Sequence, residues 1–295
     1  MNQPQGEVFD IGYQPYEGVR EGRNDARKAV MIDGMRTSLG IGRSLVTKAI
    51  PGILFLTLFI AALVFIIINQ VTANTDSFAG PRVADFFIWT TIPLLIFSAI
   101  VAPELLTADQ RSGVINLYLV RPITSLDYVL GRWLAYFLLS LFIIWFFQIV
   151  VFIGANSAGS DTWGQFRDNW LEIPRFLASG VTMALFITTL PMAAAAFTQR
   201  QSVGAAFVIG SLAILEATGW VLSSQIHNAA APWLALIDLG AMPIHVNDII
   251  FNRDFAGASA NADQGAARWA VIGIYMILIA APAALLWSKY RKASL

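Results

Sequence analysis

One carboxylate, Glu216, falls inside an otherwise apolar stretch that runs from Arg200 to about Ser224. It lies about 15 residues into that stretch, roughly 22 Å along a helix axis. An ionisable group at such a depth is costly and faces a cavity or a partner instead of lipid. Two readings stay open for Glu216: a carboxylate lining a pathway or gate on a dimer axis, or a protonated or hydrogen-bonded packing residue. The two histidines, His227 and His245, come with Asp238 and Asp248, but at separations that match no short-spaced zinc motif. No G-x-S-x-G or H-E-x-x-H occurs, and no G-x-x-x-x-G-K-[ST] loop is present to cradle nucleotide phosphates. Cysteine is absent, which removes thiolate metal sites, disulfides and cysteine nucleophiles.

A second concentration of polar chemistry is the segment ADQRSGVINLYLVRPITSLDYVLGRW, residues 108–133, set between two apolar stretches. Its arginines, aspartates and proline mark structure outside the hydrocarbon. LLTADQRSGVINLYLV is compatible with a short helix, with Ile115 and Leu119 four apart and Val114 and Leu117 three apart. Pro103 and Glu104 are expected to close the preceding span, and Arg121-Pro122 to end the short helix, since a residue before proline is pushed out of the helical region. Thr124, three residues before Asp127, has capping-box spacing and starts a new helix. That helix runs through Gly131 and Arg132 directly into the next span.

These residues need a scaffold, and composition says which kind. The 295 residues are 57% hydrophobic and 13% charged, against about 25% charged in a soluble domain. Net charge is zero, so no nucleic-acid footprint is visible. The polar N-terminus lacks an apolar core after a basic start and does not read as a cleaved signal peptide. Six stretches are long and apolar enough for helical spans: about 50–71, 86–103, 132–155, 176–199, 202–224 and 269–288. Continuous apolar runs favour helices over the short alternating segments of a membrane barrel. The expected fold is therefore all-α and integral to the membrane. The tryptophans fall mostly near span ends, as interfacial anchors do.

Fourteen of the 19 basic residues lie on the side shared by both termini, which places that side in the cytoplasm. Residues 1–25 form a polar cytoplasmic segment and 289–295 a basic tail. Residues 26–49 mix Val30, Met31, Met35, Leu39, Leu45 and Val46 with Arg27, Lys28, Arg36, Arg43 and Lys48, and read as a basic amphipathic interfacial helix. Gly34, Gly40 and Gly42 predict one or two breaks in it. Between the fifth and sixth spans, APWLALIDLGAMPIHVNDIIF is too apolar for a free loop and too short for a span, so it predicts short helices at the outer interface.

The run Arg111-Ser112-Gly113, a short apolar stretch, Arg121-Pro122-Ile123, then Leu126-Asp127-Tyr128-Val129-Leu130-Gly131-Arg132 resembles the signature of type-two (ABC-2 type) ATP-binding-cassette export permeases. The outer stretch Ala241-Met242-Pro243-Ile244-His245 with Asp248-Ile249-Ile250-Phe251 is similar to one common in the corresponding loop of that family. The resemblance implies a permease subunit in the cell membrane that is no enzyme by itself. Its coupling helix, with Arg111, Gly113, Leu117, Leu119, Arg121, Pro122, Asp127 and Arg132 as contacts, would seat in a separate ATPase. It further implies two such ATPase subunits carrying the ATP and Mg2+, and a second permease copy, identical or homologous. This sequence has Arg111 near the family's usual acidic position and Arg132 in place of the customary lysine. An intramembrane enzyme using Glu216 with a histidine, and a non-transporting scaffold or sensor, are the rival readings.

Overall fold

The computed structural model describes residues 22–42, 45–72, 81–112, 123–157, 162–198, 200–226, 231–254 and 268–292. In chain order the helices are α1 (Arg23–Ser38), α2 (Leu45–Thr72), α3 (Phe86–Ser112), α4 (Ser125–Asn156) and α5 (Thr162–Asp168). They continue with α6 (Glu172–Ala196), α7 (Gln201–Gln225), α8 (Ala231–Ala235), α9 (Met242–Ile250) and α10 (Arg268–Lys292). A short 3-10 turn, Val83–Asp85, leads into α3. No strand occurs among the described residues. Six helices, α2, α3, α4, α6, α7 and α10, are long and apolar enough to cross a membrane.

The six are not equivalent. α3, α4 and α6 carry most of the buried side chains, whereas α2, α7 and α10 lie around them with much of their surface open. In a bilayer an open apolar face costs nothing, so packing is driven by close contact and hydrogen bonds between helices. Ser98 donates to the Ile187 carbonyl, Trp133 Nε1 to Thr189 Oγ1 at 3.2 Å, and Tyr275 to the Thr182 carbonyl at 2.7 Å. Trp145 is a departure from the interfacial-anchor expectation: its indole sits against Gly180 and donates to the Leu177 carbonyl at 3.1 Å, tying α4 to α6.

Two boundaries differ from expectation. The region 26–49 breaks once, within the one or two breaks predicted: α1 ends at Ser38, but α2 already begins at Leu45, ahead of the span expected from about 50. Gly40 and Gly42, at φ +68° and +82°, make the turn, a conformation a side chain resists. Gly34 does not break α1. Pro103 and Glu104 do not end α3 either, which continues to Ser112. Proline removes one backbone donor and can be carried within a packed membrane helix. Here Pro103 lies beside the start of α7, where a Cβ on Gly204 would come within 3.5 Å of its ring.

Candidate functional site: the junction of α1 with the start of α4

α4 has 32 residues, about 48 Å of helix against a hydrocarbon core of about 30 Å. That excess length leaves room for its polar first turns outside the core, and α1 packs on them. Thr124 caps the helix as its spacing predicts: its hydroxyl accepts from Asp127 N at 3.2 Å, and Asp127 Oδ2 accepts from Thr124 N at 3.0 Å. This reciprocal pair fixes the first turn, and the negative carboxylate complements the helix N-terminus.

Asp127 does more than cap. Arg23 Nε and Nη2 donate to its Oδ2 at 3.0 and 2.6 Å, and Arg27 Nε and Nη2 to its Oδ1 at 2.9 and 2.6 Å. Five donors thus converge on one carboxylate whose side chain is 7% exposed. One turn further, Arg132, 3% exposed, returns the connection to α1 through Asp33 at 2.8 Å and lies 5.6 Å over the Tyr128 ring. Between the two ion-pair clusters the helices approach closely. A Cβ on Gly131 would meet Val30 Cγ1 at 2.9 Å, and one on Gly34 would meet Ala135 Cβ at 2.8 Å. Glycine at both positions is what lets the backbones come this near.

The same end of the bundle is tied to its last helix. Ser125 donates to the Tyr290 carbonyl at 2.8 Å, and Lys289 donates to the Ala196 carbonyl at the C-terminus of α6 while lying 4.7 Å from the Phe197 ring centroid. α1, α4, α6 and α10 therefore meet through side-chain contacts around the first turns of α4.

Of the residues singled out by sequence, Asp127 and Arg132 are brought together through α1. Both are turned inward and occupied by the chain's own side chains. Arg111 lies in the last turn of the described part of α3, with its side chain outside the described residues. Gly113, Leu117, Leu119, Arg121 and Pro122 also lie outside them. The stretch 105–112, expected as the beginning of a separate short helix, is a continuation of α3. Arg23 and Asp33 were not singled out, and Arg27 was read only as a basic residue of the interfacial helix. Their only sequence signal is that Arg23 and Arg27 stand four apart and in line with Val30, Gly34 and Ser38, the buried stripe of α1.

Glu216 is exposed on α7, as are Val203, Phe207, Ile214 and Val221, and nothing lies within 4 Å of a Cβ at Gly210. It stands near Asp238, whose carboxyl is pushed up by burial and further by Glu216, against a 3.1 Å hydrogen bond from Ala241 N. His245 is fully buried in α9, with its pKa pushed down to about 4 by burial. Asn247 beside it donates to the Ala84 carbonyl at 3.3 Å, and Arg253 pairs with Asp85. These contacts seat the stretch before α10 on the start of α3, deeper than a surface-lying helix. No group of three metal-ligating side chains occurs among the described residues. Neither a protein-family model nor a curated protein matches the chain.

Proposed function

We propose that this chain is the permease subunit of an ATP-driven exporter of the ABC-2 type, coupled to separate ATPase subunits through residues 105–132. The observation that carries the reading is the construction of α4. It is a single helix from the Thr124 cap to Asn156, with its first turn held by Asp127 to Arg23 and Arg27. A force applied just before Thr124 would reach the membrane-spanning part of α4 without an intervening hinge. Asp127 and Arg132, being occupied internally, act as positioning residues; the contacts with an ATPase fall to Leu117, Leu119 and the arginines around them. The ATP and Mg2+ would be held by that partner.

A second permease copy completes the reading. The outward face of α7 carries Glu216 beside small residues, Gly210, Ala213 and Ala217, and small residues suit close helix contact in a membrane. A second copy seated there would remove Glu216 from lipid and place it beside a shared path. An enzyme using Glu216 with His245 is less favoured, because the first is exposed on α7 and the second is enclosed in α9.

The test begins with the neighbouring reading frames: an ABC ATPase with Walker and signature motifs is expected in one of them, and it is co-expressed with this chain. Leu117→Ala with Leu119→Ala should abolish co-purification or uncouple hydrolysis from transport, since interface anchors cost above about 2 kcal/mol when truncated. Normal binding of the ATPase by a folded double variant would refute the coupling assignment.

A further inference from the structure

Most of the apolar stripe of α1, read from sequence as its membrane face, is spent on protein. Val30 and Gly34 are buried against α4, Ser38 is buried as well, and Met31 and Met35 are half-buried. The face that remains outward carries Lys28, Ile32, Arg36 and Leu39, four, four and three residues apart. Ile41 within the glycine turn, and Leu45 and Lys48 beyond it, are also exposed. The turn folds back on the start of α2, since a Cβ at Gly40 would meet Thr47 O at 2.9 Å and Lys48 N at 3.0 Å. α2 becomes apolar enough to span a membrane from Thr47 onward, so the outward face of α1 lies within a few residues of the bilayer surface.

Its charge is unbalanced. Among the described residues of α1, its turn and the contacts it makes, six basic side chains, Arg23, Arg27, Lys28, Arg36, Lys48 and Arg132, stand against three acidic ones, Asp25, Asp33 and Asp127. The acids are engaged: Asp127 with two arginines, Asp33 with Arg132, and Asp25 at 3.7 Å from Lys28. Four isolated apolar side chains amid this charge do not make the continuous apolar face that burial in acyl chains requires. We infer that α1 is held at the membrane by anionic lipid headgroups, through Lys28, Arg36 and Lys48, and not by inserting an apolar face. The partner is a lipid surface rather than a free phosphate, because the basic residues flank exposed Ile32, Leu39, Ile41 and Leu45 at the entry of a membrane helix. The arrangement leaves α1 fixed to α4 on one side and adhering reversibly to headgroups on the other. The inference rests on α2 entering a bilayer, and neither on export nor on which side the termini lie.

The chain has no cysteine, so Ile32→Cys gives a single labelling position for a bimane fluorophore on the exposed face. The full chain is reconstituted in phosphatidylcholine vesicles, with spin-labelled phosphatidylglycerol or spin-labelled phosphatidylcholine as quencher. Phosphatidylglycerol labelled near the headgroup should quench at a concentration at least about tenfold lower than phosphatidylcholine. Each basic residue near an anionic surface is worth about fivefold in affinity, so Lys28→Gln and Arg36→Gln should each lower the preference about fivefold, and the triple variant with Lys48→Gln should abolish it. Raising salt from about 0.1 to 1 M should weaken it in parallel, as the screening length falls from about 10 to 3 Å. Equal quenching by the two lipids would overturn the inference, as would a preference that survives the triple variant. Stronger quenching by a label deep in the acyl chain than by one near the headgroup would overturn it too, because α1 would then be inserted.

Discussion

Replacing Asp127 by asparagine keeps the side-chain shape and the cap geometry but removes the charge on which five donors converge. The two guanidinium groups are 50% and 44% exposed, so each pair is rated near the value of a solvent-screened ion pair, about 0.5–1 kcal/mol. Loss of a negative charge at a helix N-terminus adds about 0.5 kcal/mol. The sum is about 2 kcal/mol, or roughly 4 °C in the unfolding midpoint of a chain this size. The measurement is unfolding by SDS titrated into maltoside micelles, followed by tryptophan fluorescence, on Asp127→Asn, Arg27→Gln and the double variant. The cycle should return a coupling of about 0.5–1 kcal/mol between the two residues. Arg167→Gln serves as control, because its pair with Asp168 is 3.8 Å long between side chains 78% and 75% exposed and should register nothing. If Asp127→Asn costs no more than Arg167→Gln, or the coupling is near zero, α1 is not latched to α4 by this carboxylate. The mechanical reading of the junction would then fail with it.

Gly131→Ala should destabilise the chain despite a helix-propensity gain of about 1 kcal/mol, because the new methyl meets Val30 Cγ1 at 2.9 Å and overpacking costs about 1–3 kcal/mol. Adding Val30→Ala should restore stability in the same SDS titration; no rescue would mean the helices are not this close. His245 has a folded pKa of about 4, below its unfolded value of about 6.5. The unfolded state therefore binds the extra proton first, and stability present above about pH 6.5 is lost as pH falls toward 4, by up to about 3 kcal/mol. His245→Gln should flatten that part of the stability–pH curve, and an unchanged slope would show that His245 is not buried neutral.

Much of this architecture is written along the chain because a membrane demands it. A backbone in hydrocarbon must satisfy its own hydrogen bonds, so about twenty apolar residues in a row are enough to specify each spanning helix. The Thr124 cap was legible for a similar reason, since a capping box is a local pattern between residues three apart. Proline and glycine were less decisive. Pro103 did not stop α3, and Gly34 is a contact point instead of a break, because neighbouring helices settle what a local propensity only biases. Sequence had also offered the apolar residues of α1 to lipid. Hydropathy records that a side chain avoids water and is silent on whether lipid or α4 takes its place. Pairing across the fold lies further still from the sequence: nothing local joins Arg23 and Arg27 to an aspartate about a hundred positions away. The chain by itself determined which segments are long and apolar enough to cross a membrane and where α4 starts. Only the tertiary structure decided that Asp127 and Arg132 face α1, because charge partners are chosen by proximity in space, and that proximity is created by the glycines that let two helices touch.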